Sequence, residues 1–147
     1  MKNKHQCKIT YIFIVLTMYL LGYNYLQCCQ IGLDLRLTLY KCVATDVNEG
    51  LIEVVQKAET LCKIQMRSGI TPTSAVFKKG LLMSWLKHHN PSIEEGAKAQ
   101  EQFTLSCAGY SVAAYVLGIG DRHNDNIMVK TNGQMFHIGK QNIGLFY

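Results

Sequence analysis

The chain has 147 residues, of which 48% are hydrophobic and 17% are charged, and these proportions exclude a disordered chain and predict one packed domain. Its net charge of +5 comes from scattered Lys and Arg residues, which excludes a nucleic-acid patch. We therefore predict no nucleic-acid partner, whereas an anionic membrane surface would suit the charge.

An apolar N-terminal segment, residues 1–31, is the first predicted element. No charged residue lies between Lys8 and Asp34, and Ile9 to Leu21 is almost wholly apolar. Basic residues ahead of such a run are typical of a signal peptide or of a membrane-spanning helix. In the second case, Ile9 to Leu26 would anchor the chain in the membrane. A helix buried in a globular core is the other interpretation, and both stay open.

Two short strands follow, at residues 42–45 and 51–55. Both contain β-branched residues, and the polar segment between them, Asp46 to Gly50, ends in glycine as turns often do. We expect these strands to form a hairpin.

From Phe77 onward, apolar residues recur at helical spacing, which predicts a helix. One face of this helix is predicted to be apolar, and it carries Leu81, Leu82, Trp85 and Leu86. Asn90-Pro91 is expected to end the helix.

A second, longer helix is predicted to start at Ser92, which forms a capping box with Glu95. Four residues are expected to point toward a core: Ala97, Phe103, Cys107 and Ala114. Small residues in the later turns, among them Gly109, favour burial against other helices over a membrane span. Gly118 and Gly120 are expected to break the helix.

A dense polar loop comes next and contains Asp121, His123 and Asn126. An Asp or His that takes a proton from a hydroxyl, together with an Asn that holds magnesium, is typical of phosphoryl-transfer sites. An ordinary hydrogen-bonded turn is the alternative explanation.

The last predicted element is a hairpin around Asn132-Gly133, because an Asn-Gly pair between two alternating runs is a strong turn signal. This hairpin is expected to bring Asn126 close to Ile138.

Six cysteines show no Cys-x-x-Cys pair and no histidine at zinc spacing, so we expect no thiol-bound metal. Cys62 and Cys107 lie in apolar helical surroundings, where a free thiol behaves as a small hydrophobe. We therefore expect free thiols in a reducing cytosol.

The chain from about Gly32 to Ile138 closely resembles the catalytic core of the phosphatidylinositol 3-kinases, and most of all the class II members that carry a C2 domain. The segments that show the resemblance are Gly32-Leu33-Asp34-Leu35-Arg36, Gly50-Leu51-Ile52-Glu53-Val54-Val55, Ala58-Glu59-Thr60-Leu61-Cys62-Lys63-Ile64-Gln65, Trp85-Leu86-Lys87-His88-His89-Asn90-Pro91, Ser106-Cys107-Ala108-Gly109-Tyr110, Asp121-Arg122-His123-Asn124-Asp125-Asn126-Ile127-Met128 and Gly133-Gln134-Met135-Phe136-His137-Ile138.

This resemblance implies an α+β fold, a mainly helical kinase C-lobe with short β-hairpins. It divides the chain into the N-terminal segment 1–31, a partial catalytic domain at 32–138 and a divergent tail at 139–147. It also implies a protein of the cytoplasm that acts peripherally at membranes on phosphatidylinositol lipids. Protein partners are not indicated.

The family's catalytic roles carry over onto the polar loop. By resemblance, His123 is the base, Asp121 orients it or the hydroxyl, Arg122 braces the loop and Asn126 binds Mg²⁺.

The family's ATP site carries over onto the earlier strands and the last hairpin. Glu53 and Val55 correspond to the backbone carbonyl and amide that read the adenine edge. An apolar pocket would be lined by Tyr40, Ile52, Met128 and Ile138.

The resemblance breaks after Ile138, where the family has Asp-Phe-Gly and this chain has Gly139-Lys140-Gln141. The lost aspartate is a magnesium ligand. The N-lobe with its phosphate-pairing lysine would lie before residue 1, and the activation loop is missing. We therefore expect little or no kinase activity from the isolated chain. The alternative is a non-catalytic truncated or misassembled product, with or without a membrane tether.

Overall fold

The computed structural model describes residues 22–23, 25–46, 49–67, 80–120 and 123–138. Residues 25–30 are helical. The remaining elements, in chain order, are β1 (Cys42–Asp46), β2 (Glu49–Ile52), β3 (Ala58–Thr60), α1 (Leu61–Met66), α2 (Leu81–His89), α3 (Ile93–Val116), β4 (Ile127–Lys130) and β5 (Met135–His137). Helices combined with small antiparallel sheets confirm the predicted α+β fold class.

Strands β1 and β2 form the expected antiparallel hairpin, with an irregularity between Ala44 and Asp46. The predicted second strand was too long, because β2 ends at Ile52. At Glu53 the backbone N–H still donates to the Lys41 carbonyl at 2.9 Å, but the Lys41 N–H donates to the Glu53 carboxylate at 2.9 Å. The side chain thus replaces the next ladder hydrogen bond and ends the pairing.

The second sheet has the order β3-β4-β5, and all of its pairs are antiparallel. The predicted final hairpin is confirmed as β4 and β5, with Gly133 in its turn at a φ of +99°. Val129 of β4 and Phe136 of β5 are fully buried. Strand β3 and helix α1 were not assigned from the sequence.

Both predicted helix boundaries near residue 90 are confirmed. The Asn90 side chain donates to the Leu86 carbonyl and to the Thr131 carbonyl, each at 2.8 Å, where α2 ends. Ser92 and Glu95 form the reciprocal capping box that starts α3. Residues 77–79, at the predicted start of α2, lie outside the described residues.

The core-facing side of α3 agrees only in part with the expected one: Phe103 and Cys107 pack against the core as predicted, but the fully buried residues of the helix are Ala99, Ser106, Gly109 and Tyr110. Ala97 is exposed, so its predicted place in the core was wrong, and Ala114 is only half-buried. Apolarity alone misplaced part of the face because Ser106 can be buried: its hydroxyl accepts from the Met135 N–H at 2.9 Å and donates to the Gln102 carbonyl at 2.7 Å.

The later turns of α3 are apolar on their exposed side as well. Val112, Tyr115 and Val116 are more than half exposed, so the expected burial holds for one face only. On the buried face, Gly109 permits the close approach of residues 35–37 to the helix, as predicted, because a Cβ added at Gly109 would lie 2.7 Å from Leu37 Cδ2.

Two tyrosine hydroxyls join residues 38–40 to the core. Tyr110 donates to the Thr38 carbonyl at 2.6 Å, and Tyr40 donates to the His137 carbonyl at 2.9 Å. The core cluster comprises Tyr40, Ile64, Trp85, Leu86, Tyr110, Val129, Met135 and Phe136. Because both hydroxyls have acceptors, their burial leaves no orphaned donor.

Most of the apolar N-terminal run, residues 1–21, lies outside the described residues. Among the helices that the structure does describe, none has both the length and the apolar character needed to cross a bilayer. The five cysteines within the described ranges, at 28, 29, 42, 62 and 107, are free thiols.

Replacing Gly133 by alanine is expected to destabilise the fold by about 2–4 kcal/mol, because a methyl group there would overlap the Ala99 carbonyl and the residue has a positive φ. Gly32→Ala is the matched control, since Gly32 has a φ of +83° but open space around it, and should cost only about 1 kcal/mol. Urea unfolding measures both; equal losses would contradict the close packing of the turn on α3.

A pH effect on stability is expected from Tyr110, whose pKa is raised above its ordinary value by burial. The unfolded phenol loses its proton near pH 10, whereas the folded phenol keeps it, so this contribution is complete below about pH 10 and is lost as the pH rises further. Tyr110→Phe should therefore unfold with a pH slope shallower by up to about 1.4 kcal/mol per unit above pH 10.

Urea unfolding between about pH 8 and pH 11 measures this slope. The control, Tyr115→Phe at an exposed ring, keeps the Tyr110 hydroxyl and should retain the wild-type slope. Identical slopes in all three proteins would contradict the prediction.

Candidate functional site

An apolar cleft lies between the segment after β2 and the final hairpin, and its volume is about 150 Å³. Its lining consists of Tyr40, Ile52, Glu53, Val54, Val55, Met128, Phe136 and Ile138. All six residues predicted for nucleotide binding are in this lining, although they come from three separate parts of the sequence.

Two lining residues, Val54 and Phe136, were missed from the sequence. Phe136 lies directly opposite Met128 in the β4-β5 register, so the strand pairing could have revealed it. Its ring meets the Tyr40 ring edge-on at a centroid distance of 6.1 Å. Such an edge-to-face pair fixes the wall of the cleft.

Glu53 and Val55, whose backbone groups were predicted to read adenine, both line the cleft. Within the described part of the chain, no hydrogen bond engages the Glu53 carbonyl or the Val55 N–H. The side chain of Glu53 is held by the Lys41 N–H, which keeps the segment in place. A planar ring with a neighbouring donor and acceptor would satisfy both open groups.

The polar loop is closed by hydrogen bonds between His123 and Asn126. The His123 N–H donates to Asn126 Oδ1 at 3.0 Å, and the Asn126 N–H donates to the His123 carbonyl at 3.0 Å. The Asn126 carbonyl accepts from the Ile138 N–H at 2.8 Å. The predicted proximity of Asn126 and Ile138 is therefore confirmed, and the loop adjoins the cleft.

Helix α1 holds the polar loop in place through two hydrogen bonds. The sequence did not reveal this contact. The Cys62 N–H donates to the Asn124 carbonyl at 2.9 Å, and the Asn124 side chain donates to Gln65 Oε1 at 2.9 Å. Hydrogen bonding to the Asp125 carboxylate raises the pKa of the Cys62 thiol. No local pattern signals a contact between residues 59 positions apart.

The predicted catalytic residues are only partly described. Asp121 and Arg122 lie outside the described residues, so their roles stay predictions. His123 has a half-exposed ring, and its Nδ1 lies 3.8 Å from the Asp125 carboxylate. Asn126 is buried.

The described residues do not fit a magnesium ion. Magnesium requires a nearly octahedral set of oxygens that includes carboxylates. In the described ranges no three His, Cys, Asp or Glu side chains form a cluster that could hold a metal. Asn126 Oδ1 already accepts from a backbone N–H, and the residue after Ile138 is Gly139, which has no side-chain oxygen.

Comparison with known proteins identifies relatives. The family described as "Phosphatidylinositol 3- and 4-kinase" matches residues 27–139. The chain is 55% identical over 106 residues to "Phosphatidylinositol 3-kinase 3" of Dictyostelium discoideum. The aligned region covers 72% of this chain and 6% of that protein.

The chain is also 52% identical over 109 residues to "Phosphatidylinositol 4-phosphate 3-kinase C2 domain-containing subunit beta" of Homo sapiens. That alignment covers 74% of this chain and 6% of that protein. The chain thus spans 6% of the length of both curated relatives. These matches confirm the predicted resemblance, including that to C2-domain-bearing members.

Proposed function

Because the chain belongs to the phosphatidylinositol 3- and 4-kinase family, we propose that it is a catalytic-core segment of a phosphatidylinositol 3-kinase that keeps an adenine cleft but does not transfer phosphate by itself. The observation that carries the proposal is the cleft that collects all six residues expected for nucleotide binding.

The reaction proposed for the intact kinase transfers the γ-phosphoryl group of ATP to the inositol 3-hydroxyl of a phosphatidylinositol lipid. The bond between the γ-phosphorus and its bridging oxygen breaks and ADP leaves, while a bond to the inositol oxygen forms. The hydroxyl proton passes to a base, the role that the family resemblance implies for His123. Positioning and electrostatic stabilisation supply most of the catalysis in such transfers.

The cleft is proposed to receive adenine. Met128 and Ile138 offer apolar contacts to the faces of a flat ring, and the open Glu53 carbonyl and Val55 N–H offer an acceptor and a donor to its edge. Val54 is 76% exposed and Ile52 is 50% exposed, so a bound ring stays partly in water. We expect weak binding, with a dissociation constant on the order of 1 mM.

The polar loop is proposed to serve the phosphate end of the nucleotide, with Asp121, Arg122, His123 and Asn126 as its functional residues. The hydrogen bond between Asn126 and Ile138 supports this assignment because it places the loop beside the cleft. In the family reaction magnesium would neutralise phosphate charge, and Asn126 is the residue that the resemblance offers to it, but the residues described here do not fit that ion.

Gly139 stands where the family has a carboxylate, and this supports the proposal that the chain has no kinase turnover by itself. The same feature favours the second candidate function, a non-catalytic kinase-like product. In either case we propose a cytoplasmic chain that meets anionic membrane surfaces, where its net charge of +5 is favourable.

Adenosine is expected to shift the methyl NMR signals of Met128 and Ile138 saturably. Met128→Ala should weaken this binding about fivefold, because apolar contact with the ring is lost. Met83→Ala on α2 is the matched control and should leave the affinity unchanged, since Met83 lies outside the cleft lining. Equal losses in the two variants, or no saturable shift in the wild type, would refute the cleft assignment.

Radiolabelled ATP with phosphatidylinositol vesicles should give no labelled lipid with the wild-type chain. Gly139→Asp restores a carboxylate next to Ile138, so Mg²⁺ should raise its ATP affinity about tenfold, against less than about twofold for the wild type. Gly139→Asn is the neutral control and should behave as the wild type. Robust turnover by the wild-type chain would show that the missing carboxylate is dispensable.

A further inference from the structure

A second cavity lies between helices α1 and α2, and its volume is about 390 Å³. This volume is within the range of small-molecule sites, which usually run from about 300 to about 1,000 Å³. The polar residues of its lining are Arg67, Ser84, Trp85, His88 and His89. None of the residues that line this cavity also lines the adenine cleft, so the two are separate candidate sites.

The side chain of Trp85, which lines this cavity, contains an unused hydrogen-bond donor. Trp85 is only 8% exposed, and within the described part of the chain its Nε1–H has no acceptor. His89 holds the indole in place, because the two ring centroids are 4.5 Å apart and His89 Nδ1 donates to the Trp85 carbonyl at 2.9 Å. A buried donor without an acceptor costs free energy, so the indole N–H favours a ligand that can accept from it.

The guanidinium of Arg67 supplies further donors. Its Nη2 donates to Glu59 Oε1 at 2.6 Å, which fixes the side chain and leaves other N–H groups of the guanidinium open. Ser84 and His88 are exposed residues of the lining, and a hydroxyl and an imidazole can each donate as well. Among the described lining residues there is no carboxylate that would repel an anion.

We propose that this cavity binds an oxyanion of the phosphate class, carried by a soluble phosphorylated molecule or by a lipid head group. A phosphate monoester presents three strong acceptor oxygens, which suit the separate donors of Arg67, Ser84, Trp85 and His88. A carboxylate has only two oxygens and would leave more of these donors unused. This site goes beyond the adenine cleft and does not depend on it, because the two share no lining residue.

The first test uses the indole of Trp85, which is the only tryptophan of the chain and therefore gives a single indole N–H signal in NMR. Inorganic phosphate added to the full chain should shift this signal saturably, with a dissociation constant on the order of 1 mM. Chloride at matched ionic strength should not shift it. An indole signal that phosphate leaves unmoved would overturn the proposal.

Two variants of the lining test the donors. Arg67→Gln removes the charged fork and should weaken phosphate binding about tenfold. Ser84→Ala keeps the contact between Arg67 and Glu59 and should weaken binding about threefold, which preserves the test even where Arg67→Gln fails to fold.

Lys87→Gln is the matched control, because it removes the same charge from an exposed residue of α2 outside the cavity lining. It should change the affinity by less than about twofold, since an exposed charge is screened by solvent and salt. Equal losses in the Arg67 and Lys87 variants, or an unchanged affinity in Ser84→Ala, would show unspecific attraction between charges and contradict the site.

Tryptophan fluorescence with vesicles distinguishes the two sources of the phosphate. Phosphatidylcholine vesicles that contain phosphatidylinositol 4-phosphate should change the emission of Trp85 more than phosphatidylserine vesicles of equal charge, and Ser84→Ala should reduce this difference. That result assigns a lipid head group. Saturable binding of inorganic phosphate without such a difference supports the same site with a soluble phosphorylated ligand.

Discussion

The hydrogen bond from the Ile138 N–H to the Asn126 carbonyl is the contact on which the site depends. It lies one residue beyond the paired strands β4 and β5, and it joins the end of the polar loop to a lining residue of the cleft. This backbone contact therefore places the polar loop beside an apolar pocket.

Helix α3 supports that hairpin through buried polar contacts as well as through apolar packing. The Ser106 hydroxyl accepts from the Met135 N–H, and the turn at Gly133 packs on the backbone of Ala99. In a small core, each satisfied buried group counts, because an orphaned one would cost about 1–3 kcal/mol. These contacts fix the hairpin against α3, and the hairpin in turn holds the end of the polar loop.

Local patterns predicted local structure well. The capping box of Ser92 and Glu95, the end of α2 at Asn90 and the hairpin at Gly133 each depend on a few neighbouring residues, and all three are confirmed. The face of α3 was predicted only in part: Phe103 and Cys107 pack against the core, but apolarity cannot reveal that Ser106 is buried with partners for its hydroxyl. Strand β3 escaped notice because three residues carry too little periodicity.

The amino-acid sequence by itself determined the family, most of the helices and strands, and six of the eight residues that line the cleft, because short-range patterns and motif residues can be identified without a structure. Only the tertiary structure decided how the polar loop is held. The contact between Asn124 and Gln65 joins residues 59 positions apart, and the Asp125 N–H is directed at His123 Nδ1 within the loop. Such long-range and directional contacts arise when the chain folds, since no spacing along the sequence encodes them.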